Sequence, residues 1–322
     1  MRHAFSMLVL LPHTRSMLRP LAAARRRPPC LSLSGSSRVS AGTAPAAAAS
    51  AAPPAPDGPS AARRFLIENK NNHVLRMECG NPAVLRQGLA ETEGLPHVCI
   101  AGESNAGKSS LINHLLHKKG LARASSVAGK TRSVDLMVVN EQVVLADLPG
   151  LPSRDGQVTA IWEARWGPLV FDYIARCDEL LAMLYVHDIR WPVSARVRTF
   201  LDEVRAHQLP VLLVLTKDDR ILTELRDPQD REAEHALRQR LMRRVRRSLG
   251  FDGVHLHYST NSELPVARKA RRRLLRYVES MVDAGDRARC AAMLDGIAKE
   301  KWGPAEGVES SWRRRPDQTR AL

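Results

Sequence analysis

The chain has 322 residues, of which 44% are hydrophobic, and its formal net charge at pH 7 is +15. The hydrophobic fraction is high enough to form a buried core and excludes wholesale disorder, while the lack of any run of eighteen apolar residues predicts no membrane span. The basic excess favours nucleic acid or another polyanion as the partner, with a merely solvated basic face as the alternative.

The first sixty residues differ in composition from the rest of the chain. They contain seven arginines, no lysine and one acidic residue, Asp57, a net charge of +6; the +15 of the whole chain less this +6 leaves +9 for the remainder. An Arg-rich, Ser-rich, acid-poor start is typical of organelle transit peptides, and the Ala/Pro stretch Ala41–Pro56 is typical of a linker. We therefore interpret residues 1–60 as a transit peptide and linker that direct the protein to the mitochondrial matrix. The alternatives are that the segment directs the protein to a plastid, or that it is a disordered basic tail that is never cleaved.

Residues 61–282 alternate apolar strands with amphipathic segments. Six strands are predicted, with the sequences HVCIAG, LMVV, VVLAD, ELLAMLYVHD, PVLLVL and GVHLHYST. The alternation predicts an α/β fold of three layers, in which a mostly parallel sheet with one antiparallel edge hairpin carries helices on both faces. Such sheets bind ligands at the C-terminal ends of their strands. Residues 283–322 predict a C-terminal helix and a basic tail.

The motif with the highest specificity is a phosphate-binding loop. Gly102–Ser109 matches G-x-x-x-x-G-K-[ST] and stands between a predicted strand and a predicted helix. Its glycines let successive backbone N–H groups point at phosphates, Lys108 is expected to reach the β- and γ-phosphates, and the helix adds the dipole of its N-terminus. The predicted nucleotide contacts in this loop are Gly102, Ser104, Asn105, Ala106, Gly107, Lys108, Ser109 and Ser110.

Three side chains are predicted to act at a Mg²⁺ ion. The Ser109 hydroxyl is one ligand, and Asp147, which ends a strand in the sequence DLPG, is expected to hold the metal shell through water. Thr131 of the sequence GKT can add a second hydroxyl when the γ-phosphate is present, which is how such loops switch. The N–H of Gly150 is expected to respond to the same phosphate. Lys108, Thr131 and Gly150 are therefore the predicted catalytic residues.

Two further segments are predicted to read the base. In the sequence TKDD after a buried strand, Asp219 is placed to accept hydrogen bonds from guanine N1–H and the exocyclic amine, and Lys217 to lie over the ring, with Thr216 preceding them. Adenine lacks this pair of donors, so a buried carboxylate rejects it. Ser259 and Thr260 end the last strand and could position the guanine O6 through backbone N–H groups.

With these motifs the chain resembles the EngB (YihA) family of P-loop GTPases, over roughly Phe65–Val282. The segments that carry the resemblance are LPHVCIAGESNAGKSSLINHLL, AGKTRSVDL, LADLPG, HDIR and LPVLLVLTKDD. The resemblance implies a P-loop GTPase domain that takes GTP or GDP with Mg²⁺. It also implies a K⁺ site, because Asn105 occupies the loop position that supplies a potassium ligand in related GTPases.

The bacterial members of that family act in assembly of the large ribosomal subunit. Together with the transit-like start, this implies a GTP-hydrolysing assembly factor for the large subunit of an organellar ribosome. The expected partners are the precursor particle, with its rRNA and ribosomal proteins, and other assembly factors.

Four positions depart from the family pattern. Glu103 stands where the family has a basic residue, Ala128 precedes GKT in place of proline, and Leu151 and Pro152 follow DLPG where the family has Tyr-Gly. No glutamine is available after Gly150 to orient the attacking water, so we expect slow intrinsic hydrolysis. A GTP-binding placeholder of the ribosome precursor that hydrolyses little or nothing is the alternative function.

Two other patterns bear on packing and partners. Trp162 and Trp166 have i, i+4 spacing and are interpreted as packing residues, with RNA stacking as the alternative. The segment from His235 to Gly250 predicts an amphipathic helix whose apolar stripe is surrounded by arginines. Those arginines are either a phosphate-contacting face or merely solvated.

Overall fold

The computed structural model describes residues 71–122, 132–152, 159–224, 230–261 and 265–302. Within them a single seven-stranded sheet has the order β1-β3-β4-β2-β5-β6-β7. The strands are β1 (Val74–Cys79), β2 (His97–Gly102), β3 (Val134–Val139), β4 (Val143–Asp147), β5 (Leu180–Asp188), β6 (Val211–Thr216) and β7 (His255–His257).

Most of this sheet is parallel, as predicted. β2 pairs in parallel with both β4 and β5, and the parallel pairing continues through β6 to β7. β3 and β4 form the predicted antiparallel hairpin, whose turn has positive φ angles of 50° at Asn140 and 58° at Glu141. Two consecutive positive φ angles match the right-handed twist of the strands. The hairpin is not at the edge of the sheet, because β1, which the sequence did not predict, pairs with β3.

The helices cover both faces of the sheet. They are α1 (Pro82–Glu91), α2 (Lys108–Leu115), α3 (Gly167–Arg176), α4 (Ala195–Ala206), α5 (Arg231–Leu249), α6 (Pro265–Ala284) and α7 (Arg287–Trp302). Shorter turns are Thr159–Ile161 and the π-helical Trp162–Trp166 before α3, and the 3₁₀ turn Asp218–Glu224 after β6. None of the helices in the described ranges is long and apolar enough to cross a lipid bilayer.

Two hydrophobic clusters on opposite faces of the sheet form the core. On β2, Cys99 and Ala101 join one cluster with α1, α3, α4 and α5, whereas Val98 and Ile100 join the other with α2, α6 and α7. Because both faces are covered, the central strands are continuous apolar runs, and all nine residues of β5 are buried. The predicted three-layer α/β fold is confirmed.

The two spaced tryptophans belong to this core. Trp162 is 7% exposed and Trp166 is 3% exposed, and the Trp162 ring meets Phe200 of α4 edge-on at a centroid distance of 6.3 Å. Aromatic pairs in this arrangement add to the stabilisation from burial. The interpretation of both residues as packing residues is confirmed, and neither ring is free to stack on RNA.

The predicted C-terminal helix, α7, packs onto the sheet with the other helices. Gly285, at a φ of 76°, separates it from α6, and Cys290 and Leu294 are buried in the core. The Arg287 guanidinium docks its first turn by donating hydrogen bonds to four backbone carbonyls near the start of β5. These carbonyls belong to Ile174, Cys177, Leu180 and His207. The predicted basic tail lies outside the described residues, as does the predicted transit peptide and linker.

Candidate functional site

The candidate site lies at the C-terminal ends of β2, β4, β5 and β6, where the sequence motifs meet. Its centre is the phosphate loop between β2 and α2. Gly102 has a φ of 150°, and a Cβ at this position would lie 2.2 Å from the carbonyl oxygen of Val186 on β5. No side chain fits there, so the first glycine lets the loop leave the sheet against a neighbouring strand.

The other end of the loop is shaped to present backbone N–H groups. Gly107, at a φ of 101°, is the N-cap of α2, and no side chain caps this helix. Asn105 is also in the left-handed region, with a φ of 65°. An uncapped helix N-terminus preceded by such a loop is an anion site, because its first N–H groups are left for an external acceptor.

Lys108 lies on the inner side of this loop. It is 6% exposed, and its ammonium donates hydrogen bonds to the carbonyls of Gly102 at 3.0 Å and Glu103 at 3.1 Å. Burial lowers the pKa of Lys108, and the carboxylates of Asp147 and Glu103 act in the opposite direction. The loop therefore folds around a buried positive charge, whose hydrogen-bond acceptors among the described residues are backbone carbonyl oxygens.

The DLPG segment is hydrogen-bonded to the phosphate loop. Ser104 N–H donates to the Leu151 carbonyl at 2.8 Å, and Leu151 N–H donates to the Gly102 carbonyl at 3.1 Å. A Cβ at Gly150 would lie 2.7 Å from Ser104 Oγ and 3.0 Å from the Lys108 ammonium nitrogen. Only glycine lets the segment approach so closely, which places the Gly150 backbone beside the Lys108 ammonium.

Asp147 is the buried acid of the site. It is 1% exposed, and its Oδ1 has no hydrogen-bond partner among the described residues; the same holds for the buried Ser104 Oγ. Burial raises the pKa of Asp147 to about 7, although the Lys108 charge opposes the shift. Two desolvated oxygen atoms without partners, together with the Lys108 ammonium, fit a site completed by a hydrated metal ion and phosphate. Ser109 lies in the first turn of α2, whereas Thr131 lies outside the described residues.

The predicted base-reading segment is bonded to the phosphate loop. Thr216 Oγ1 donates to the carbonyl of Ala106 at 2.5 Å, and it lies 3.1 Å from the carbonyl of His187. The Lys217 ammonium donates to the Asn105 carbonyl at 2.7 Å. Thr216 is thus a positioning residue that holds the loop against β5 and β6, and Lys217 lies across the loop.

The two aspartates that follow Lys217 have different surroundings. Asp218 is 2% exposed, and it forms an ion pair with Arg238 of α5 and a 3.0 Å contact with His257 Nδ1. Asp219 is half-buried and forms no hydrogen bond or ion pair with the other described residues. Of the two carboxylates, that of Asp219 is the one left to meet a ligand.

The last predicted segment follows β7. The Ser259 side chain is buried and its Oγ accepts a hydrogen bond from Asn261 N–H at 3.1 Å, whereas Thr260 is exposed. The chain here is held beside β6, because Tyr258 N–H donates to the Leu215 carbonyl at 2.7 Å. The segment therefore lies at the same edge of the sheet as Lys217 and Asp219.

Asp188, the last residue of β5, and Arg190 after it form contacts that were not predicted from sequence. Asp188 accepts two hydrogen bonds from the Arg190 side chain, at 3.0 and 2.8 Å, and forms a 3.0 Å ion pair with Lys217. Burial alone would raise the pKa of Asp188, but the bonds from Arg190 and Lys217 bring it below its usual value. The sequence HDIR, in which an arginine stands two positions after an aspartate, is the pattern from which this ion pair could have been predicted.

Glu103, the departure within the phosphate loop, is directed at α4 and β5. Its Oε1 accepts a hydrogen bond from Ser194, the N-cap of α4, at 3.1 Å, and its Oε2 lies 3.9 Å from His187 Nδ1. The carboxylate is therefore held by the protein itself. This arrangement explains how an acidic residue is tolerated in a loop predicted to bind phosphates.

Several known GTP-binding proteins are similar in sequence to this chain. A family described as 50S ribosome-binding GTPase matches residues 97–217. A probable GTP-binding protein EngB of Shouchella clausii is 34% identical over 172 residues, which are 51% of this chain and 86% of that protein. Its counterpart in Geobacter metallireducens is 39% identical over 127 residues, 39% of this chain and 61% of that protein, which is less than two thirds of its length. The crystal structure of a probable GTP-binding protein engB is 18% identical, with a TM-score of 0.40 over 56% of this chain and 98% of that one.

Proposed function

Because the chain belongs to the EngB family of P-loop GTPases, we propose that it binds GTP with Mg²⁺ and assists assembly of the large ribosomal subunit in mitochondria. The observation that carries nucleotide binding is the cradle in which Gly150 lies against Lys108 and Ser104, beside the unpartnered oxygen of Asp147. Asp147 Oδ1 and Ser104 Oγ lack a hydrogen-bond partner within the described residues, and a bound metal–nucleotide complex would supply one to each.

The roles of the chain's own residues follow from this cradle. Lys108 would exchange two carbonyl acceptors for phosphate oxygens, and the N–H groups at the start of α2 would bind the same phosphates. Ser109 and Asp147, with Thr131 from the sequence, would hold Mg²⁺. When bound, Mg²⁺ supplies positive charge that offsets the charge on the phosphate oxygens.

Guanine selectivity is proposed to come from Asp219. Its carboxylate has no partner among the described residues, whereas the carboxylate of Asp218, next to it, contacts Arg238 and His257. A carboxylate that gains two donors from guanine and none from adenine discriminates strongly between them, since the wrong base leaves it unpaired.

The rate of hydrolysis is proposed to depend on a partner. Leu151 is 1% exposed and both of its backbone groups bond to the phosphate loop, so this position offers no polar side chain to an attacking water. A group from the precursor particle would then have to orient the water. A placeholder function predicts instead that turnover stays negligible when particles are added, and a turnover assay with and without particles distinguishes the two.

The surface of α5 supports an RNA partner. Four arginines of α5 have exposed side chains and form no ion pair with the described residues. They are Arg240, Arg243, Arg244 and Arg247. Two others are used within the protein, because Arg238 pairs with Asp218 and Arg246 donates to the Phe251 carbonyl. A helix face with four uncompensated positive charges suits a phosphate backbone.

Co-sedimentation with mitochondrial large-subunit particles tests this proposal. The full chain is expected to bind in the presence of a GTP analogue, to bind more weakly with GDP, and to dissociate steeply as salt rises. Reversing three α5 charges to glutamate is expected to weaken binding while GTP affinity stays near normal. The changed residues are Arg243, Arg244 and Arg247. A control of equal charge change uses exposed arginines of other helices, Arg176, Arg198 and Arg289.

Two outcomes would contradict the proposal. Association that ignores salt, nucleotide and the α5 arginines alike would mean that the basic helix is only solvated. Equal losses in the α5 variant and in its control would mean that net charge, and not this surface, determines association.

The mitochondrial address is tested separately. We expect residues 1–60 fused to a fluorescent protein to direct it into mitochondria, because the segment is rich in arginine and contains a single acid. A fusion that stays in the cytosol would contradict the proposed address, and import into plastids in a plant cell would support the alternative one.

A further inference from the structure

Trp191, in the segment between β5 and α4, is the most exposed large hydrophobic side chain of the described residues. It is 53% exposed, compared with 49% for Ile161 and about 40% for Leu75 and Val84. By contrast, Trp162 and Trp166 are buried in the core. An indole ring with this exposure presents a large apolar surface to water, and such surfaces mark interaction sites when charged groups surround them.

Hydrogen bonds hold the backbone of this segment in place. Trp191 N–H donates to the Asp188 carbonyl at 3.0 Å, and the Trp191 carbonyl accepts from His187 Nε2 at 3.0 Å. Arg190 N–H bonds to the Asp188 carboxylate at 3.2 Å. A contact residue whose backbone is already ordered loses less conformational entropy when it binds, which favours binding at this position.

Positive charge surrounds the ring and continues onto α5. The Arg190 guanidinium lies 5.9 Å from the centre of the Trp191 ring, and the Arg244 guanidinium donates to the Arg190 carbonyl at 2.8 Å. Helical spacing places Arg240 and Arg247 on the same face as Arg244, over about 10 Å of helix axis. Arg190 is neutralised by Asp188, but these three exposed α5 arginines form no ion pair with the described residues.

The geometry points to a binding site for an unpaired stretch of RNA, with one base stacked on Trp191 and the adjacent phosphates on Arg240, Arg244 and Arg247. This inference rests on the proposed function, in which α5 faces ribosomal RNA. A duplex could meet the arginines but not the indole, because its bases are stacked on one another. Aromatic rings stack on splayed bases, and arginines that follow the backbone complete such sites.

Three RNA probes of equal length distinguish base stacking on Trp191 from phosphate binding by the α5 arginines. They are a single-stranded RNA of twelve nucleotides, the same sequence as a duplex, and the twelve-residue abasic ribose-phosphate chain. Removing the ring with Trp191→Ala in the full chain is expected to weaken single-strand binding about tenfold, because stacking on one base contributes an effect of that order. Binding of the duplex and of the abasic chain should not change, and Trp191→Tyr should restore most of the single-strand affinity. GTP affinity and thermal stability of both variants should match the wild type, because the ring is 53% exposed.

The outcomes distinguish this inference from the proposed function. If Trp191→Ala leaves single-strand affinity unchanged while the α5 reversal still reduces particle association, the stacking site is refuted and the proposed function stands. If Trp191→Ala reduces particle association but affects none of the three RNA probes, the ring contacts protein, and the inference is overturned. If the wild-type chain associates with no particle, the proposed function itself fails, whatever the probes show.

Discussion

The protonation of Asp147 gives a measurable prediction about the nucleotide-free protein. Its carboxylate is buried, with one oxygen unpartnered among the described residues, and its pKa is raised from 3.8 to about 7. A raised pKa means that the folded state binds a proton that the unfolded state has released. The stability that this proton provides is complete below about pH 4 and is lost as pH rises through 7.

The magnitude follows from the size of the shift. A shift of about three pKa units at roughly 1.4 kcal/mol per unit gives a loss of at most about 4 kcal/mol between pH 4 and pH 8. Replacing Asp147 with asparagine removes the titration. We therefore expect Asp147→Asn to be as stable as the wild type or less stable near pH 4, and more stable than the wild type by up to about that amount at pH 8.

The assay is denaturant unfolding of the full chain at pH 4.5, 6 and 8, without nucleotide and with a metal chelator. Asp202→Asn is the matched control, because its carboxylate is 63% exposed beside Arg205 and an exposed pair contributes little. Adding Mg²⁺ and GDP at pH 8 should stabilise the wild type, through binding to the folded state alone, and stabilise Asp147→Asn much less. Parallel pH profiles for the wild type and Asp147→Asn would refute the argument from burial, and equal stabilisation by Mg²⁺ and GDP would refute the metal role.

The remaining predictions concern the nucleotide. Asp219→Asn should shift preference from guanine toward xanthine nucleotides, measured by competition binding. Asp218→Asn should instead lower thermal stability, because it weakens the ion pair of the buried Asp218 with Arg238. Wild-type protein that bound ATP as tightly as GTP would exclude the assignment of Asp219. Lys108→Ala should abolish GTP binding or turnover with the fold intact by circular dichroism, and unchanged GTP affinity would contradict the phosphate-loop argument. Intrinsic turnover should be slow and faster in K⁺ than in Na⁺, because a cation held at Asn105 can stabilise charge in the transition state. Equal rates in the two salts would remove the K⁺ proposal.

The central sheet could be predicted from sequence because its strands are covered on both faces. Such strands must be apolar throughout, so β2, β5 and β6 stand out as uninterrupted runs. The edge strand β1 gives no such signal. Its six residues VLRMEC include Arg76, which pairs with Asp135 on β3 at 2.5 Å, and Glu78, which is exposed. A half-polar strand with a paired charge has neither the alternation nor the apolar run that identifies strands.

The parts of the candidate site that consist of one continuous segment could be predicted from the sequence. The contacts between side chains far apart in the sequence could not. The phosphate loop is one continuous segment, so its residues are recognisable by spacing alone. The partner of Glu103 is Ser194, 91 positions away, and the acceptor of Thr216 is Ala106, 110 positions away. No pattern in one sequence encodes such pairs. For that reason Thr216 was grouped with the base contacts, although its hydroxyl positions the phosphate loop.

Lys217 joins the nucleotide site to the surface that carries Trp191, and this determines which substitutions are informative. Its ammonium bonds at once to the Asn105 carbonyl of the phosphate loop and to the Asp188 carboxylate, whose residue also anchors the Trp191 backbone. Replacing Lys217 would therefore disturb nucleotide binding and the order of that segment together, and a loss of particle association could not be assigned to either. Asp219 and Trp191 lie on either side of this connection, and neither side chain forms part of it. If the substitution of Asp219 impairs guanine selectivity alone and the substitution of Trp191 impairs single-strand RNA affinity alone, nucleotide recognition and RNA binding are separable, although Lys217 connects the two sites.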